Sequence, residues 1–126
     1  MEKYELGLKK KSFSLYYNGG EIWSEHLDSL YDQKELLKQK FLKDLEVIRR
    51  PSTSSYIGIA MNETEVDIEI LDLIIDSFTS MSKPLKKVVF IGLKSKMKSY
   101  INKKNAETPF VMTCLDDYEK AKEWLI

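Results

Sequence analysis

Cysteine is nearly missing from this chain of 126 residues. Cys114 stands alone, so no disulfide can close within the chain, and a reducing cytoplasm is the expected compartment. Histidine is equally scarce. His26 is the only one, in the segment Ser24-Glu25-His26-Leu27-Asp28, and one imidazole with nearby carboxylates falls short of a metal motif. No Gly-x-Ser-x-Gly elbow, phosphate loop or dinucleotide fingerprint is present. Long apolar runs are missing too. The most apolar stretch, residues 66–75, is interrupted by Asp67, Glu69 and Asp72, which excludes a membrane-spanning helix there. Residues 1–11 are charged and lack the apolar centre of a signal peptide. Net charge is absent as well: 20 basic residues balance 20 acidic ones, which argues against a dedicated nucleic-acid binder.

What remains is the composition of one globular domain over residues 1–126, large enough to bury a core without staples. The only internal regularity is a strand–helix alternation repeated three times. Residues 56–61, 87–92 and 110–114 are short apolar runs with the character of buried strands. Residues 66–81, 96–104 and 118–126 carry helical periodicity. In the first of these helices Val66, Ile70, Leu73, Ile74, Phe78 and Met81 form the inner face. Thr64 is placed to cap it, Ser95 to cap the second, and Asp116, with Glu119 three residues on, to cap the third. Asn105 is a stop for the second helix.

The N-terminal half is less regular. Tyr4, Leu6 and Leu8 alternate as in a half-buried strand, and Phe13, Leu15 and Tyr17 share one face of another. Asn18-Gly19-Gly20 is a turn signal. Residues 21–24 then either extend the sheet as a hairpin partner or lead into helix. Residues 33–49 form a helix, with Leu37, Phe41, Leu45 and Ile48 inside and Lys34, Lys38, Lys43 and Asp44 largely on the other side. Pro51 ends it, and residues 51–55 form a loop too short to separate domains.

The resulting order is β-β-α-β-α-β-α-β-α, an α/β domain. The run YIGIAM at residues 56–61 followed by the helix over 68–78, the strand KVVFIG at 87–92, and the ending DDYEKAKEWL at 116–125 together resemble the STAS domain. That is the fold of bacterial anti-sigma-factor antagonists, and the ending is also similar to Sec-14-like bacterial proteins. The resemblance covers the C-terminal part of the chain. It implies a mixed sheet of four or five strands with helices mainly on one face. It also implies a non-enzymatic regulatory or protein-interaction role, with small apolar-ligand or lipid binding as the alternative. Antagonists of that family carry a phosphorylated serine before the helix at 68–78. Here the stretch reads Asn62-Glu63-Thr64-Glu65-Val66-Asp67, with Thr64 as its only hydroxyl, so a phosphoserine switch is not expected.

Charge is segregated along the chain. Acidic residues from Glu63 to Asp76 run without a lysine or arginine, and lysines from Lys83 to Lys104 run without an acid. Two solvated helix faces explain this, and so does a polarised docking surface for a charged partner. The partner-binding residues expected on the second reading are Asn62, Glu63, Thr64, Glu65 and Asp67, with Lys94, Lys96 and Lys98 on a basic edge. A protein partner is expected, with a homodimer left open, and no cofactor, metal or catalytic group is assigned. Cys114 reads as a packed thiol, His26 as a surface or half-buried ring.

Overall fold

The structure is a computed structural model, and it describes residues 11–126. The strand expected around Tyr4, Leu6 and Leu8 lies outside the described residues. Within them five strands form one sheet: β1 (Phe13–Tyr17), β2 (Gly20–His26), β3 (Tyr56–Ala60), β4 (Lys87–Ile91) and β5 (Val111–Leu115). They lie in sequence order. β1 and β2 are an antiparallel hairpin, and β2 to β5 run parallel. The hairpin settles the ambiguity at residues 21–24 in favour of strand. Asn18 (φ 49) and Gly19 (φ 82) supply the two left-handed residues that a two-residue turn needs.

Four helices complete the chain: α1 (Lys34–Ile48), α2 (Ile68–Thr79), α3 (Ser95–Lys104) and α4 (Tyr118–Leu125). Because β2 to β5 are parallel and in order, each connecting helix crosses back over the same face. There Leu37, Phe41, Ile48, Ile70, Ile74 and Ile101 pack on Trp23, Ile57, Ile59, Val88 and Phe90. The edge-to-face contacts Phe41–Phe78 and Phe78–Phe110 run through this core. The C-terminal helix α4 covers the other face, where Ala121 and Leu125 meet Ile22, Val89 and Ile91. Helices therefore lie three to one across the sheet. Strand interiors read as unbroken apolar runs because both faces are covered.

The cap positions of α2, α3 and α4 each fall on a residue other than the one the sequence suggests. Asp67, not Thr64, caps α2: its Oδ1 accepts from the Ile70 N–H at 2.9 Å, and Val66 just before it packs into the core. Thr64 is occupied otherwise, as shown below. Lys94 holds the cap position of α3 with no side-chain cap bond, so Ser95 is already helical. Asp117, not Asp116, caps α4 by accepting from Glu119 N–H at 2.9 Å. Asn105 does end α3, but in right-handed geometry (φ −55), and its Oδ1 accepts from Met112 N–H at 2.7 Å, which ties the helix end to β5.

A polar knot under α1 departs from the expected face. Lys40 is buried and Asp44 half-buried rather than solvated. They pair at 3.2 Å, and both hydrogen-bond Ser12. Beneath them on β2, Glu25 is fully buried and accepts from the Trp23 indole N–H at 2.9 Å.

Candidate functional site

The parallel strands β2, β3 and β4 end at one edge, and the loops that leave them form a groove of about 760 Å³. Pockets that hold ligands or peptide segments typically fall in this size range, and crevices at the carboxyl ends of parallel strands are common binding places. The lining comes from three loops and the helix starts that follow them. Tyr31 and Asp32 come from the β2–α1 loop and Lys34 from the first position of α1. Glu63, Thr64, Glu65, Val66 and Asp67 come from the β3–α2 loop. Gly92, Leu93, Lys94 and Met97 come from the β4–α3 junction.

The first two loops are zipped together. Beyond the strand ends, Leu27 N–H donates to Ala60 O, Ser29 N–H to Asn62 O, Tyr31 N–H to Glu63 O and Glu65 N–H to Tyr31 O, all within 3.0 Å. Thr64 locks the zipper: its hydroxyl donates to Leu27 O at 2.7 Å and accepts from Leu30 N–H at 3.1 Å. The hydroxyl thus satisfies two backbone groups across the loop, which is why it is not the helix cap. Ser29, Tyr31 and Glu63 adopt left-handed backbone (φ 59, 53 and 55). Such conformations are uncommon for side chains of this size, persist where the surroundings over-determine them, and gather at binding sites.

The third loop takes no part in that zipper, and its Gly92 N–H donates to Leu115 O at 3.0 Å instead. Gly92 (φ 87) turns the chain sharply, and any Cβ there would collide with the Asn62 side chain and stand 3.1 Å from Asn62 Cα. Asn62 therefore packs against the turn and sets the spacing between the two groove walls.

The walls differ in charge. On one, Asp32, Glu63 and Glu65 are exposed, and Glu63 also accepts from the Tyr31 hydroxyl at 3.2 Å. Asp67 and Glu69 are neutralised: Lys34 binds them at 2.8 and 2.6 Å, and Lys38 reaches Glu69 at 2.7 Å. Their hydrogen bonds from Lys34 hold both carboxyls below the usual range. On the other wall stands Lys94, followed by exposed Lys96 in the first turn of α3, which carries no acid in that turn.

The lysine run of the sequence is thus not one patch. Lys83 reaches across to the C-terminal end of α1, donating to the carbonyls of Ile48, Arg50 (2.9 Å) and Thr53 (2.8 Å), and partial burial lowers its pKa. Lys87 donates to Trp124 O at 2.9 Å and lies over the Trp124 ring. Lys98 pairs with Asp116 at 2.9 Å and Lys104 with Glu107 at 3.4 Å. Of the residues expected at a partner site, Glu63, Thr64, Glu65, Asp67 and Lys94 line the groove and Asn62 braces its turn. Lys96 and Lys98 lie on α3 beside it. Tyr31, Asp32 and Lys34 were not legible as site residues, because the strand preceding them was ambiguous in the sequence.

Two other chemically suggestive groups are structural. Cys114 has its pKa pushed up to about 11, chiefly by burial, so at neutral pH it is a packed thiol. Ser24, His26 and Asp28 form a chain, with Ser24 Oγ to His26 Nε2 at 3.2 Å and His26 Nδ1 to Asp28 Oδ1 at 3.1 Å. The order resembles a hydrolase relay, and it arises because residues two apart on a strand share a face. Yet Ser24 is only 1% exposed and its hydroxyl also bonds Tyr118 at the start of α4. Phe13 and Tyr118 stack near the His26 ring, with centroids at 5.6 and 6.1 Å. The enclosed Ser24 ties α4 to the sheet.

Among the described residues no group of three or more His, Cys, Asp or Glu is arranged to hold a metal ion, and no helix is long and apolar enough to cross a membrane. Comparison with known proteins gives no matching family model, no matching curated protein and no matching solved structure.

Proposed function

We propose that this domain is a non-enzymatic regulatory or protein-interaction module of STAS-like type, working without a phosphoserine switch. Its docking site is the groove at the carboxyl ends of β2, β3 and β4. The observation that carries this reading is the pairing of an acidic wall (Asp32, Glu63, Glu65) with a lysine wall (Lys94) across a crevice whose rim is held in left-handed backbone. Opposed charges at a fixed spacing select partners by register and steer their approach. Nothing in that role needs a nucleophile, and the Thr64 hydroxyl is engaged in holding the loops together rather than offered for modification.

The alternative is a lipid or small apolar ligand, which needs an apolar lining. The groove carries four carboxylates and two lysines. The other hollow, about 640 Å³ on the outer side of α1 and α2, includes Arg49 and Asp76. The groove's lining favours a charged partner over an apolar one. A protein partner in the cytoplasm, with neither nucleic acid nor a membrane span involved, fits this chemistry best.

The test is capture from native lysate with three baits. Wild type is expected to retain a partner that E63K/E65K loses. E46K/E123K makes the same charge change at exposed positions away from the groove, and it is expected to retain the partner. Equal capture by all three baits refutes the assignment.

A further inference from the structure

We infer that the groove edge is self-complementary and that a second copy of this chain docks there about a two-fold axis. This rests on the docking reading above and names the occupant.

The acidic wall and the lysine wall lie side by side at one edge of the sheet. Asp32 and Glu65 on one, and Lys94 and Lys96 on the other, have no ion-pair partner among the described residues. A two-fold axis running along the groove, in the plane of contact between two copies facing each other, lays the acidic wall of each copy on the lysine wall of the other. One favourable juxtaposition is then made twice, the defining property of an isologous interface. An unrelated partner would have to carry the reverse order of charges at the same spacing. This chain presents that order itself.

Its overall charge permits the approach. With 20 basic and 20 acidic residues and an isoelectric point of about 6.6, two copies near neutral pH feel no net repulsion, and only the polarised edge orients them. Apolar surface is available at the same edge. Tyr31 is 39% exposed on the groove rim, and Ile68, next to Asp67, is 47% exposed. Mostly charged contacts of this kind give weak, reversible, salt-sensitive association rather than an obligate dimer.

Sedimentation equilibrium of the full chain tests this. The expected mass rises from 14.7 kDa toward twice that value as protein goes from about 10 µM to about 1 mM, and raising salt from about 0.05 M to about 0.5 M weakens association about tenfold. E63K/E65K makes both walls basic and K94E/K96E makes both acidic. Each alone is expected to be monomeric, and their equal mixture to recover the dimer. That recovery also shows that both variants fold. A 14.7 kDa species at every concentration overturns the inference, and so does a dimer that persists in either variant alone. A monomer whose partner capture still falls with E63K/E65K sinks only this inference and leaves the docking reading standing.

Discussion

Tyr31 and Glu63 meet across the rim of the groove with matching left-handed backbones, φ 53 and φ 55, and are joined twice. The Tyr31 N–H donates to the Glu63 carbonyl at 3.0 Å, and the Tyr31 hydroxyl donates to Glu63 Oε2 at 3.2 Å. Two bulky residues in that conformation store backbone strain where the β2–α1 and β3–α2 loops are zipped.

Strain kept for binding has a signature in opposite signs. Asparagine tolerates left-handed backbone better than glutamate and removes the charge. Glu63→Asn is expected to raise stability by on the order of 0.5 kcal/mol in chemical denaturation while weakening partner capture. A variant that is both less stable and fully competent would show that Glu63 serves the fold alone.

Thr64 holds the zipper through its hydroxyl. Thr64→Val keeps the shape but leaves Leu27 O and Leu30 N–H without that partner, so a loss of about 1–2 kcal/mol is expected. Thr64→Ser is expected to restore most of it. Denaturant midpoints for the two variants decide the matter, and equal midpoints for valine and wild type contradict it.

Gly92 is required twice over, by its φ of 87 and by the Asn62 side chain against it. Gly92→Ala is expected to cost about 1–3 kcal/mol, because a left-handed alanine is strained and Asn62 must also move. Its amide resonances are expected to shift most at residues 61–67 and 92–97. Shifts spread evenly over the sheet would argue that Gly92 does not set the groove spacing.

Glu25 gives the domain a pH dependence of unusual sign. Burial first, then the Asp44 carboxylate, raise its pKa well above the usual 4.5. As a carboxylate its Oε2 has no partner; protonated, it becomes a donor toward Asp44. Burial raises the Asp44 pKa too, but hydrogen bonds from Glu25 and Ser12 and the Lys40 charge outweigh it, so Asp44 stays below the usual range. A raised acid binds its proton more tightly in the folded state. Its contribution is therefore full below the unfolded value and declines as pH rises to the folded value, by up to about 1.4 kcal/mol per pH unit. Glu25→Gln keeps a donor and removes the titration. Stability measured against pH is expected to lose this decline above the unfolded value in the variant, and parallel curves for variant and wild type would rule out a protonated Glu25.

The fold was more legible in the sequence than the site. Apolar runs at Ile57–Ile59 and Val88–Ile91 and the Leu37, Phe41, Leu45, Ile48 stripe announce buried strands and a core-facing helix, because burial on two faces or on one stripe leaves a periodic trace. Caps were misplaced by one to three residues, since Thr64, Asp67, Asp116 and Asp117 are all competent and only tertiary partners choose among them. The β3–α2 half of the groove was visible as Glu63, Thr64 and Glu65 ahead of an amphipathic run. Tyr31 and Asp32 were not, because their place depends on non-local pairing with residues 62–65. Nor was the burial of Glu25 and Lys40, since charged residues are rarely enclosed and only the folded chain brings them together.

The most direct measurement places a photo-crosslinking side chain at Met97, on the groove wall, and in a second protein at Glu46, on the exposed side of α1. Each is irradiated in native lysate. The expected result is protein adducts from Met97 that disappear when E63K/E65K is added to the same chain, and none above background from Glu46. Equal labelling from both positions, or Met97 adducts indifferent to the charge reversal, would contradict the groove as the docking surface.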